Sequence, residues 1–293
     1  MVLIQSIINI FLASNYYLII ALSFLIIYQT SKFFHIAHAI TITFGAYLTF
    51  LFSIQFGFNL WFAIPLTILG AIIISVIIEI SVYKPLRKRE TSSWKMLIAS
   101  LGLYVILQNL ISLIWGDDTK IIRTWPIKVG HNIFGAYITD VQIITIVVSV
   151  ILFSATILFL QYTSLGKQIR AVSSNSVLSN IFGISSDRVI LWSFIIGSAL
   201  ASIAGILIAL DTDMTPTMGF HIFLYAVVAM IIGGVGSYKG LIGGALLLAT
   251  AQHLSAYYID SKWMDATAYV ILILFLVWKP LGFSGKRLKK VEI

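Results

Sequence analysis

Apolar runs of about 20 residues, separated by short polar intervals, dominate the chain at residues 4–28, 60–82, 94–115, 141–162 and 189–210. Runs of that length cross a hydrocarbon layer as α-helix, and the lack of about ten-residue alternating segments excludes a β-barrel. A further run beginning near Phe34 carries a polar string, His35, His38, Thr41 and Thr43, ahead of Gly45 and Tyr47. Steps of three residues keep His35, His38 and Thr41 on one helical face. Polar groups at membrane depth are costly, which points that face toward a bundle interior or a translocation path. The other reading is that the two histidines cap a helix start near the interface.

Two more stretches interrupt the apolar pattern. Gln108 and Asn109 sit in the outer half of the run at 94–115, where they serve either as hydrogen-bonding links between helices or as path residues. Between 218 and 254 the apolar pattern is broken by Gly233, Gly234, Gly236, Ser237, Lys239, Gly240, Gly243 and Gly244. Two short helices joined at a glycine-rich break fit this better than one long span. Such a break either faces a wet cavity, as in transporters, or makes a tight cytosolic turn. The run at 189–210 contains Gly197, Ser198, Ala201, Ser202 and Gly205, small residues that allow helix backbones to approach closely. With the short last run at 265–278, the expected fold is all-α. It is a polytopic transmembrane helical bundle of about eight to ten membrane segments, some broken or re-entrant. The whole of 1–293 forms one integral-membrane domain.

The longest polar interval lies at 163–188, TSLGKQIRAVSSNSVLSNIFGISSDR. A short helical run holds Lys167 and Arg170, and Asn175 is placed to cap a second helix through Phe182. Gly183 followed by apolar Ile184 has the pattern of a left-handed C-cap. Ser185, Ser186 and Asp187 then offer N-caps for the next span. The capped helix presents Val177, Leu178, Ile181 and Phe182 as an apolar face. That face suits either a socket on another protein or the lipid headgroup surface.

Composition agrees: 59% of residues are hydrophobic, 10% are charged and the mean hydropathy is +1.00. The net charge of +8 reflects basic loops and not a nucleic-acid surface. Lys32 follows the first run, Lys84, Arg87, Lys88 and Arg89 follow the third, and Lys286, Arg287, Lys289 and Lys290 end the chain. By the positive-inside rule the N-terminus faces outward and the C-terminus the cytosol, with Arg87 and Arg188 inside and Lys120 and Asp213 outside. Glu79 lies close to the basic cluster, where an ion pair is expected, and Pro85 is expected to break the helix. No basic residue precedes the first run, so no signal peptide is expected.

The chain has no cysteine, no phosphate-binding glycine-lysine loop, no HExxH and no serine-hydrolase elbow, so neither catalytic nor metal-ligating residues are assigned. Uphill transport would then need another chain to supply the nucleotide site. The segment from Asn175 to Gly183, with Leu178, Ile181 and Phe182, is the candidate docking element. An ion-coupled carrier, the competing class, should instead bury carboxylates within its spans.

The ordered motifs HIAHAITITFGAY, YKPLRKR, IASLGLYVILQN, TSLGKQIRAVSSNSVLSNIFGISSDRV, GFHIFLYAVVAMIIGGVGSYKGLIGGALL and VILILFLVWKPLGFSG cover nearly the whole chain. Together they resemble the permease subunits of bacterial branched-chain amino-acid ABC importers, the smaller of the two permeases in particular. The resemblance implies an inner-membrane, multi-pass subunit working with a second permease, two cytosolic ATPases that bind the ATP, and an external substrate-binding protein. It implies no cofactor on this chain, and it makes 163–188 the ATPase-coupling loop. Related permeases for urea or short amides carry similar motifs, which leaves those substrates as the alternative cargo.

Overall fold

The computed structural model describes residues 2–124 and 130–284, and the basic tail at 286–290 lies outside the described residues. Among the described residues, seven helices are long and apolar enough to cross a membrane, and Met218–Gly233 is a shorter apolar helix. In chain order the helices are α1 (Val2–Ser31), α2 (His38–Phe50), α3 (Leu60–Ile78), α4 (Lys84–Lys88), α5 (Ser93–Trp115) and α6 (Asp140–Tyr162). They continue as α7 (Ser164–Ser174), α8 (Ser176–Ile181), α9 (Ser186–Asp211), α10 (Met218–Gly233), α11 (Tyr238–Tyr258) and α12 (Met264–Trp278). A small antiparallel hairpin, β1 (His131–Ile133) and β2 (Ala136–Ile138), precedes α6. Two compact units divide the chain, one of residues 1–25, 127–157 and 224–293, the other of 26–126 and 158–223.

The second unit is built on α2, α3 and α9, which pack on one another. Small residues make the α2–α9 contact a backbone contact, as the stretch 197–205 predicts: Gly205 leaves no room for a β-carbon, which would stand 2.0 Å from the Ile42 carbonyl oxygen. At one end of this unit Ile40, Phe44 and Tyr47 of α2 close a core with Ile111 and Ala209, beneath segments joined by a bridge between Lys120 and Met214. At the other end Ile27, Phe33, Tyr83, Met96, Ile190 and Phe194 form a second buried cluster.

Pro85 does not break its helix. A π-helical turn at Glu79–Tyr83 joins α3 to α4, and Pro85 falls in the first turn of the latter. There its missing N–H has little to lose, and the wider turn ahead of it absorbs the ring.

In the first unit α11 packs on α12, where the Thr267 hydroxyl donates to Ser255 Oγ (2.8 Å). The buried Tyr17 hydroxyl of α1 donates to Gln252 Oε1 of α11 (2.7 Å). Gln5 holds the hairpin from the same helix, accepting from the Tyr137 N–H (2.8 Å) and donating to the Tyr137 carbonyl (3.1 Å).

Candidate functional site

The polar loop forms as its caps dictate. The Thr163 hydroxyl accepts from the Gly166 N–H (3.0 Å) to start α7, and Asn175 Oδ1 accepts from the Leu178 N–H (2.9 Å) to start α8. Gly183, with φ +82°, closes α8, and the Ile184 N–H reaches back to the Ser179 carbonyl (2.9 Å). The cap of α9 is not a Ser185 side chain. Asn180 Oδ1 accepts from both the backbone N–H and the hydroxyl of Ser186, each at 2.9 Å. One asparagine on α8 thus ties that helix to the first residue of α9.

On this frame Val177, Leu178, Ile181 and Phe182 stand 66%, 49%, 75% and 76% exposed. Four large apolar side chains on α8 and its C-cap residue, among polar neighbours, form an exposed patch that is not covered among the described residues. The loop is anchored on both sides of α8. The Lys32 ammonium donates to the Ser173 carbonyl near the C-terminal end of α7, a position that favours a cation. On the other side Asp187 accepts from Arg87 Nε (3.1 Å), whose Nη2 also donates to Glu79 Oε1 (2.6 Å). The expected pairing of Glu79 with the basic loop is present.

The polar string at the start of α2 is buried. His35 precedes the helix, its Nδ1 lying 3.0 Å from the Tyr83 hydroxyl and 3.2 Å from Ser100 Oγ, while Ser100 also accepts from the Ala37 N–H (2.8 Å). Phe194 and His38 pack against the same imidazole. Further along α2 come Thr41, Thr43 and Tyr47, all buried. The hydroxyls of Thr43, Tyr47 and, on α9, Ser198 find no hydrogen-bond partner among the described residues. Buried hydroxyls are normally paired, and Thr145 and Ser149 of α6 share this condition among the described residues.

The remaining sequence candidates sit elsewhere. Gln108 donates to Ser112 Oγ (3.2 Å) and the exposed Asn109 to the Val105 carbonyl (2.8 Å), both within α5, so neither links that helix to another among the described residues. The amides stay home because four-residue spacing offers a nearer acceptor than any neighbouring helix. Interhelical linkage falls instead to Gln252 of α11, which accepts from the Tyr17 hydroxyl of α1. Gly233, Gly234, Gly236 and Ser237 form a tight turn. Gly234 and Gly236 both have φ +99°, and Ser237 Oγ caps α11 by accepting from the Gly240 N–H (3.1 Å). The Phe283 and Ser284 N–H groups bond to the carbonyls of Ile232 (2.9 Å) and Gly233 (3.2 Å), so the segment after α12 covers the end of α10.

The described residues thus form a polytopic set of apolar helices in which α8 presents an exposed apolar face. The chain belongs to the family described as the permease component of the branched-chain amino acid transport system, whose model matches residues 6–277. It is 29% identical over 284 residues to the high-affinity branched-chain amino acid transport permease LivH of Salmonella typhimurium, covering 92% of this chain and 91% of that one. BraD of Pseudomonas aeruginosa, a permease of the same description, is 29% identical over 297 residues, 96% of this chain and 95% of its own. Among solved structures, PsaBC from Streptococcus pneumoniae shares the fold with a TM-score of 0.51 at 14% identity, over 92% of this chain and 90% of that one.

Proposed function

We propose that this chain is the permease subunit of an inner-membrane ABC importer for branched-chain or related amino acids, driven by ATP hydrolysed on two separate cytosolic subunits. It pairs with a second permease and receives cargo from an external binding protein; its N-terminus faces outward and its C-terminus the cytosol. The branched-chain amino acid permeases among its relatives favour amino acids over urea or amides as cargo. Against an ion-coupled carrier stands Glu79, the carboxylate best placed within a span, which is engaged by Arg87.

The observation that carries this reading is the exposed apolar face of α8, held between two anchored ends. Residues 163–188 are the coupling loop, with Asn175 and Gly183 shaping the helix and Leu178, Ile181 and Phe182 entering the ATPase. His35 ahead of α2, with His38 and Thr41 on one of its faces, supports a path there, while the Thr43 and Tyr47 hydroxyls, without a partner among the described residues, lie on the opposite face. Gln108 and Asn109 support one less, since both bond within their own helix, and the glycines at 233–236 act as a turn.

Burying a Leu or Phe contributes roughly 1.5–3 kcal/mol, and about 1.4 kcal/mol is tenfold in affinity. Leu178→Asp with Phe182→Asp should therefore weaken ATPase docking by at least about a hundredfold while the permease still inserts. Co-purification of the ATPase subunits in detergent measures this. Undiminished co-purification would return α8 to the membrane surface.

A further inference from the structure

The ion group beneath the loop is not a simple surface pair. Arg87 bridges two carboxylates on different helices: Glu79, whose side chain is 1% exposed, at the end of α3, and Asp187, 39% exposed, in the first turn of α9. The chemistry is left incomplete on one side. Glu79 Oε2 and Arg87 Nη1 are both buried and find no partner among the described residues. A carboxylate and a guanidinium ordinarily close two parallel hydrogen bonds, and here the second of the two is unmade while Asp187 holds the other edge of the guanidinium. Lys84 adds positive charge near Glu79. Asp187 is adjacent to Ser186, which Asn180 of α8 holds through two hydrogen bonds. An unbroken chain of polar contacts therefore runs from α8 through Ser186 and Asp187 to Arg87 and Glu79. It ends on α3, which packs against α2 and α9.

We propose that Arg87 is the positioning residue that transmits movement of the docked α8 helix to α3, by exchanging a bridge shared with Asp187 for a two-bond pair with Glu79. When the ATPases pull the loop, Asp187 leaves and the cost of its departure is offset by closure of the Nη1–Oε2 bond. The two arrangements are thereby near balance, as a switch requires. No covalent change is involved. Lysine cannot replace arginine in this role, because an ammonium is a point charge without the planar fork. The inference rests on the importer reading above.

The test uses the full complex of permeases and ATPases, with Arg87→Lys and Asp187→Asn made separately. Arg87→Lys keeps the charge beside buried Glu79 and Asp187→Asn alters only a partly exposed oxygen, and the ATPases co-purified with each variant are quantified so that hydrolysis and uptake are expressed per assembled complex. Stimulation of hydrolysis by the loaded binding protein, and uptake, should each fall on the order of 5- to 150-fold, the usual range of a coupling free energy. A purely electrostatic role for Arg87 would be rescued by lysine, so wild-type stimulation in both variants overturns the proposal. Loss of the ATPases from Asp187→Asn also overturns it, by making the residue part of the docking surface. Absence of ATPases from the unaltered complex would overturn the importer reading itself, and the transmission role with it.

Discussion

The carbonyl oxygen of Ser202 occupies the space where a β-carbon on Gly45 would stand, 2.3 Å away. The contact is backbone on backbone, and neither helix can yield without disturbing the buried strip that α2 carries. Gly45→Ala should therefore lower the stability of the purified permease by roughly 1–3 kcal/mol, the usual cost of overpacking, and Gly45→Leu should prevent its accumulation. Thermal unfolding in detergent checks both. Gly102, with no atom near its missing side chain, is the control that should tolerate alanine.

The proposed orientation puts the two ends of the α2–α3–α9 unit on opposite sides of the membrane. Lys32 with Ser173 and Arg87 with Asp187 mark one end; Lys120 with Met214 and Arg123 with Asp213 mark the other. Cysteines replacing Lys88, Arg188 or Lys286 should resist an impermeant thiol reagent in intact cells, while those replacing Lys120 or Asp213 should react. The native chain contributes no background, having no cysteine. Labelling of Arg188→Cys from outside would reverse the topology.

The turn at Gly234 and Gly236 gives a different expectation from a path-lining break. A side chain held at φ +99° costs on the order of 1–3 kcal/mol in backbone strain. At Gly282 a β-carbon would meet the Gly234 nitrogen at 2.5 Å, so the covering segment leaves no slack. Gly234→Val and Gly236→Val should reduce the amount of assembled complex, with uptake per assembled complex near normal. Full assembly with no uptake would place these residues in the path instead.

Much of this was legible because membrane spans and caps are local signals. The apolar runs, the helix from Asn175 to Gly183 and the break near Gly234 need only nearest-neighbour chemistry to be read. The partners of polar residues are not local. Gln108 and Asn109 look like interhelical links by type, yet they bond within α5, whereas Gln252 makes the link to Tyr17 from 235 residues away. Asn180 looks like filler in α8 and proves to cap α9. Pro85 reads as a breaker unless the π-helical turn ahead of it is known. That the hydroxyls of Thr43, Tyr47 and Ser198 are buried without a partner among the described residues is a matter of packing that no local pattern reveals.

The claim that this chain is moved by ATP hydrolysed elsewhere is tested most directly by uptake of labelled leucine into proteoliposomes. These hold the permease pair and its ATPases, with leucine-loaded binding protein on the external face of the permeases and ATP on the ATPase side. The account predicts uptake that requires ATP and the ATPase subunits, and that persists when ionophores collapse proton and sodium gradients. Uptake by the permease alone, driven by an ion gradient and indifferent to ATP, would contradict it.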